Sequence, residues 1–257
     1  MPDTRSWRGP HPKDLECFST RWIPILRSAV DELSWLLDRG YSPKASLKLV
    51  GDRHSLRDRQ RKAVQRCAAG DSACQLRHRK RLDTTVLGGT TVVVDGYNVL
   101  LTLEAALSGG LILLARDGTV RDLAAMSAHY RRLQATQPAI ELLADFFAAV
   151  DCTQVIWYLD RPVSNSGRLK RLIQETVSHR SPPWRVDLTD RTDRLLIRSP
   201  HVVASADSAV IDGCDRWVNL ARQVVESSIP DAWVLDLGRR MEPLKPGCPT
   251  IDSSTGT

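Results

Sequence analysis

From Ile23 the apolar residues return every third or fourth place, through Leu26, Ala29-Val30, Leu33 and Leu36-Leu37, and stop at Arg39-Gly40. That spacing predicts one amphipathic helix. Ser42-Pro43 restarts the chain as an N-cap followed by a first-turn proline, which predicts a short helix over 44–50 ended by Gly51. A second helix follows from Ser55 or Leu56 to about Ala69. Two short helices joined through Gly51-Asp52, the second rich in arginine, form a helix-turn-helix pattern. Ala69-Gly70-Asp71-Ser72 breaks the pattern, the charged stretch 75–81 is expected to be a connector, and Gly88-Gly89 marks a boundary.

Beyond that boundary the period changes. The β-branched run Thr90-Thr91-Val92-Val93-Val94 stops at Asp95-Gly96, as a buried strand does when it turns at the rim of a sheet. A helix is expected over 98–107, then a hairpin between Leu111 and Val120 turning at Asp117-Gly118 and set on the sheet edge. Helices over 122–132 and 138–150 lead to a second strand, 154–159, which again ends on a carboxylate, Asp160. A helix begins near Ser166-Gly167, a strand covers 185–188, a short helix 190–197, and a strand 201–204 runs into Asp207-Ser208 and a helix over 209–211. Strands over 217–220 and 233–237 flank a helix over 222–227. Apolar runs alternating with helices predict an α/β fold with a parallel sheet flanked by helices. The expected units are a basic helical, helix-turn-helix-like domain over 14–82, an α/β domain over 88–240, and an unstructured Pro, Gly, Ser and Thr tail over 241–257.

The 257 residues, 42% of them hydrophobic, suffice for a medium domain and a smaller one. No apolar run approaches the roughly 18–20 residues of a membrane span, and the start is polar and proline-bearing, so no membrane association and a cytoplasmic setting are expected. Six cysteines without a C-x-x-C pair argue against a zinc knuckle or a disulfide framework. The net charge of +6 is unevenly placed: between Arg53 and Arg81 ten Lys or Arg face two Asp. That asymmetry points to nucleic acid, with Arg53, Arg57, Arg59, Arg61, Lys62 and Arg66 as the expected contacts. A merely solvated helix face is the plainer alternative.

Three strands end in the same way, at Asp95, at Asp160 and, one short turn later, at Asp207. In a parallel sheet these carboxylates meet at one edge, a charge density that calls for a cation. All-oxygen ligands without His or Cys suit Mg²⁺ or Mn²⁺ rather than zinc. Asp193, with Asp190 beside it, is the candidate fourth ligand; Asp187 and Asp212 are held in reserve. Asn98, one turn after Asp95, is placed to orient a metal ligand or water. Ser164, Asn165, Ser166 and Gly167 put hydroxyls and backbone N–H groups at a helix start, and with Ser208 and Arg121 they make up the expected phosphate contacts. Each aspartate also has a plainer role as a helix cap.

Val93-Val94-Asp95-Gly96-Tyr97-Asn98-Val99 resembles the opening motif of the NYN branch of the PIN-like nucleases, in which a strand ends in Asp-Gly-x-Asn. Asp160 and Asp207 stand where that superfamily carries further acidic ligands. The whole chain also resembles an uncharacterised prokaryotic two-module family, in which a basic helical module with a stretch like Arg39-Gly40-Tyr41-Ser42-Pro43 to Asp52-Arg53 precedes such a domain. Asp117-Gly118-Thr119-Val120-Arg121-Asp122 and Pro162-Val163-Ser164-Asn165-Ser166-Gly167 belong to the same likeness. The resemblance implies a PIN/NYN-like fold and a metal-dependent nuclease acting on RNA rather than DNA. Two other functions fit the same residues: a regulator that binds nucleic acid without cutting it, and a phosphohydrolase of small molecules.

Overall fold

The computed structural model describes residues 9–123 and 133–238. Most of the helix expected over 122–132 and the tail over 241–257 lie outside the described residues. The chain opens with α1 (Asp14–Cys17), α2 (Ile23–Asp38), α3 (Pro43–Arg53), α4 (Asp58–Cys67) and α5 (Asp71–Lys80). The apolar stripe of α2 is buried as its spacing predicts, through Leu26, Ala29, Val30 and Leu33. Two expectations change here. Gly51 does not end a helix but lies inside α3, where a Cβ would overlap the Arg61 guanidinium, so it serves close approach rather than a turn. The stretch 75–81 is no connector: it completes α5 and enters strand β1 (Arg81–Leu82).

The remainder runs β2 (Thr91–Asp95), α6 (Gly96–Leu107), β3 (Ile112–Leu114), β4 (Val120–Asp122), α7 (Thr136–Ala149), β5 (Gln154–Asp160), α8 (Ser166–Val177), β6 (Trp184–Thr189), α9 (Thr192–Ile197), β7 (Val202–Ala204), α10 (Ser208–Gly213), β8 (Trp217–Val218), α11 (Leu220–Ser228) and β9 (Val234–Asp236). Six strands form one sheet in the order β1-β8-β7-β2-β5-β6, and every pair in it is parallel. The fold is therefore mixed α/β, a parallel sheet flanked by helices with helices before it.

The hairpin is real but not where the sequence put it. β3 pairs antiparallel with β4 and parallel with β9, making a separate three-stranded sheet rather than an edge of the large one. Leu111, Leu113, Ala115, Leu235 and Leu237 of this small sheet share a hydrophobic core with Leu26, Leu33, Val64 and Cys67 of the N-terminal helices. With β1 added to the large sheet ahead of Gly88, the N-terminal helices are joined to the α/β portion through both sheets.

Side chains alternate across a strand, so the large sheet has two distinct faces. Val92 and Val94 sit in the main core with residues of α6, α7, α8 and α11. Val93, Ile156 and Val203 face the other way, against Leu196 of α9 and Val210 and Ile211 of α10. Trp157, fully buried, stacks on Trp184 with ring centroids 5.4 Å apart and presses against the start of α6. A Cβ on Gly96 would overlap both the Trp157 indole nitrogen and the Tyr158 carbonyl oxygen, and φ at Gly96 is not positive. This glycine is required by crowding, not by backbone conformation. Gly96→Ala is expected to destabilise the fold by about 1–3 kcal/mol or more through overpacking, read from the urea midpoint; an unchanged midpoint would mean that β5 yields freely.

Candidate carboxylate site at the carboxyl edge of the sheet

The register of the large sheet places the site. Asp95 pairs level with Tyr158 of β5, so Asp160, two residues on, lies on the same face one pleat further along. Val94 pairs with Ala204 of β7, so Ser205 comes level with Asp95, and its hydroxyl donates to Asp95 Oδ2 at 2.7 Å. Asp193 stands in the first turn of α9, the helix that covers this face, and Asp207 follows Ser205 at the start of α10. The four aspartates expected to act together do share one face at one edge of the sheet.

Their electrostatics are unusual. Asp95 is buried, and no Lys or Arg among the described residues pairs with it. Burial pushes its carboxyl up to about 7, against the Ser205 hydrogen bond, and the charges of Asp207, Asp193 and Asp160 push in the same direction as burial. Asp193 is raised too, by burial first and then by Asp207 and Asp160. Asp95 occupies the N-cap position of α6 yet makes no capping hydrogen bond, so the plainer role fails for this residue. For Asp207 it holds in part: Oδ1 caps α10 by accepting from the Ala209 and Val210 amides.

Among the described residues no group of three His, Cys, Asp or Glu closes to metal-holding distance. The donor set nevertheless suits a hard cation bound by one or two carboxylates with water filling the rest of its shell, the usual habit of Mg²⁺. Asp95, buried and repelled by three like charges, is the group such a cation would relieve.

The loop that carries Asp207 is held from both sides. Asn98 accepts the Ala206 amide through Oδ1 at 2.8 Å, and Arg121 donates Nε to the Ala206 carbonyl at 2.8 Å. Ser205 Oγ, besides donating to Asp95, accepts the Asp207 amide at 3.0 Å. Asn98 is thus a positioning residue that fixes the peptide before Asp207. Arg121 was expected to bind phosphate, but its donors are taken: Nη1 by the Arg66 carbonyl and Asp117, Nη2 by Asp117 and the Ser208 hydroxyl. Ser208 accepts that contact through its hydroxyl oxygen and keeps its own O–H as a donor, so of the two residues it is Arg121 that has no free group for a substrate phosphate.

At the centre of this bracing is Asp117, a residue the sequence marked only as a hairpin turn. Its side chain is fully buried, accepts from Arg77 Nη1 at 2.6 Å and Arg121 Nη2 at 2.7 Å, and is held well below the usual carboxylate range by those two guanidiniums against the opposing effect of burial. Arg77 also forks onto Asp212 of α10, at 2.7 Å through both Nε and Nη2. A chain of charge-assisted bonds therefore runs from α5 through the hairpin turn to the Asp207 loop.

The other expected residues sort as follows. Asp190 pairs with Arg161 at the surface, Asp187 with Arg185, and Asp212 with Arg77, so none of the three joins the cluster. Asn165 takes the left-handed conformation (φ 67°) just before α8, which brings the 164–167 loop to the same sheet edge as Asp160. Ser166 is turned inward, its hydroxyl donating to the Arg161 carbonyl, and is not a phosphate contact. In the arginine-rich helix, Arg59 forks onto the buried Asp14, and Arg61 holds Asp52 and the Leu56 and Lys48 carbonyls. These two are structural, spent on packing α4 against its neighbours. Arg57 pairs with Glu16 and Arg53 approaches Glu32, both in solvent, where such pairs are weak and open readily. Lys62 is exposed, and Arg66 is half-buried and gives its carbonyl to Arg121.

The family described as a domain of unknown function, DUF5616, matches residues 84–223, from the turn after β1 into α11. The chain belongs to the DUF5616 family. A second family of unknown function, DUF434, matches residues 25–80, the helices ahead of the DUF5616 region. The uncharacterised protein MJ0935 of Methanocaldococcus jannaschii is 31% identical over 186 residues, covering 72% of this chain and 88% of that protein. No solved structure matches the chain. These matches support an uncharacterised two-module organisation; the DUF5616 region contains all four clustered aspartates together with Asn98, Asp117 and Arg121. No helix among the described residues is long and apolar enough to cross a membrane.

Proposed function

We propose that the chain is a metal-dependent nuclease of PIN/NYN-like type, acting on RNA at the carboxylate edge of the large sheet. The observation that carries this reading is Asp95: a buried carboxylate with no cationic partner, beside three further aspartates on one face. By contrast, the buried carboxylates of Asp14 and Asp117 each lie against arginine. A stable fold rarely strands a charge in this way unless something else binds it.

When bound, Mg²⁺ or Mn²⁺ supplies charge neutralisation at the phosphodiester and a more acidic water. Asp95 and Asp160, at adjacent strand ends, would hold it, and Asp193 and the remaining oxygen of Asp207, whose charges reach Asp95, would orient water around it. Asn98, Ser205 and Arg121 keep the Asp207 loop in place while substrate binds. Contacts to the nucleic acid fall to the exposed cations of the N-terminal helices, Arg53, Arg57 and Lys62, because Arg59, Arg61 and Arg121 are committed within the protein.

Incubating the full-length protein with labelled single-stranded RNA should give fragments with Mn²⁺ and none with EDTA. Retention of intact RNA in both conditions would overturn the nuclease reading and favour a binding protein. Release of phosphate from mononucleotides with no cleavage of RNA would instead identify a small-molecule phosphohydrolase.

A further inference from the structure

A polar cavity of about 350 Å³ lies between the end of β1 and the first turns of α11, lined by His78, Arg81, Asp83, Asn219, Arg222 and Gln223 among others. Its groups are those of a built site. The Arg81 guanidinium is half-buried and makes no side-chain hydrogen bond or close ion pair to any described residue; the carboxylate that feels its charge is Asp83, two residues on. Arg222 gives Nε to Glu226 at 2.7 Å and Nη1 to the Gly118 carbonyl at 3.1 Å, which leaves Nη2 uncommitted.

Asn219 is 5% exposed, donates Nδ2 to the Gly118 carbonyl, and has a buried Oδ1 with no partner. It is also the N-cap of α11, a nine-residue helix, and makes no capping bond there, so the positive end of the helix is left uncompensated. The carboxylates nearby are already engaged: Glu226 by Arg222, and Asp83 by the Thr85 amide in its own turn. The cavity is therefore left with two guanidinium donors, Arg81 and Arg222 Nη2, beside one buried acceptor, Asn219 Oδ1.

We infer that this cavity binds a phosphate group, belonging either to the backbone of a nucleic acid or to a free nucleotide. Arg81 and Arg222 Nη2 take its oxygens beside the open end of α11, and Asn219 Oδ1 takes a hydroxyl of the same ligand. The inference does not depend on the nuclease reading, since the cavity shares no residue with the carboxylate cluster. It also supplies what Arg121 cannot, a free guanidinium at the carboxyl edge of the large sheet. β1 stands three strands from β2, roughly 14 Å at the usual strand spacing, a separation that a few nucleotides of single strand can bridge.

The test uses the full-length protein in EDTA, so that binding is read without cleavage, with labelled single-stranded RNA, AMP and inorganic phosphate as separate probes. Arg81→Gln and Gln223→Glu are made independently; the second, on a half-buried helix position, keeps the test decisive if the first disturbs β1. Arg81→Gln should weaken binding roughly tenfold, the size of one charge-assisted hydrogen bond, and Gln223→Glu by about as much through the carboxylate it sets beside the phosphate. Loss toward RNA, with a salt dependence reduced by about one phosphate contact, identifies a backbone site. Loss toward AMP and phosphate with RNA unaffected identifies a free-nucleotide site. Unchanged affinity for all three probes in both variants, or wild-type protein that binds none of them, overturns the inference.

Discussion

Asp117→Asn should unfold at markedly lower urea than the wild type, a loss of about 3–5 kcal/mol, because it removes one partner of a buried ion-pair network and strands the rest. The substitution keeps shape and removes charge. Two guanidiniums packed on a fully buried carboxylate would then face an amide, one edge of which carries N–H donors directed at their own. Arg77 keeps Asp212 and loses part of its compensation, whereas Arg121 loses its only carboxylate and retains carbonyls and the Ser208 hydroxyl. The size of the effect measures stranded charge and not the worth of the network, since an all-apolar replacement could be neutral. Its pH dependence has a definite sign. The arginines hold the Asp117 carboxyl below its ordinary range, so its contribution is complete above about pH 4 and is lost only as pH falls further. Wild type and variant should therefore differ fully at pH 7 and converge in acid. A loss under 1 kcal/mol at pH 7 would show that water reaches the network and screens it.

Two of the buried aspartates, Asp95 and Asp117, mark how far the sequence could be read. Asp95 was legible because strand, stop and glycine are consecutive, and a β-branched run ending in Asp-Gly specifies both the strand and the edge at which it ends. Asp160 was legible as a carboxylate ending an apolar run and Asp207 as one a short turn after such a run, both without the glycine, and the parallel register then brings them to the same edge. Asp117 was legible only as a turn: Asp-Gly between apolar runs is a hairpin signal whether its carboxylate meets solvent or two arginines, and those arginines come from α5 and β4. The same limit explains Arg59, Arg61 and Arg121. Composition reports a basic stretch, but which guanidinium is spent inside depends on which carboxylate or carbonyl the fold brings opposite. The small sheet was missed because short strands carry no mark of their partners, and β9 comes from more than a hundred residues beyond β3. β1 was missed because two residues are too few to show a period.

Asp95→Asn should act in the opposite direction to Asp117→Asn on stability while removing activity. Ordinary aspartate ionises near pH 4, and burial lifts Asp95 to about 7. Below pH 4 the group is protonated folded or unfolded, and it costs nothing. Between pH 4 and 7 the unfolded chain ionises first, so wild-type stability falls as pH rises; above 7 the whole penalty is present, up to roughly 4 kcal/mol for three pH units. Asparagine carries no such penalty and its carbonyl can still accept the Ser205 hydroxyl. In EDTA the variant should therefore match the wild type at pH 4 and exceed it at pH 8. Mn²⁺ should raise the melting temperature of the wild type at pH 8 and leave the variant unmoved, because the carboxylate that gains from the cation has gone. RNA cleavage in Mn²⁺ should fall at least about a hundredfold, the loss expected when a group stabilising transition-state charge is removed. A stabilised variant that still cleaves at the parental rate would leave Asp95 as a strained structural residue and place the chemistry elsewhere. A variant no more stable than wild type at pH 8 would show that Asp95 already has a compensating partner, and the argument from its burial would fail.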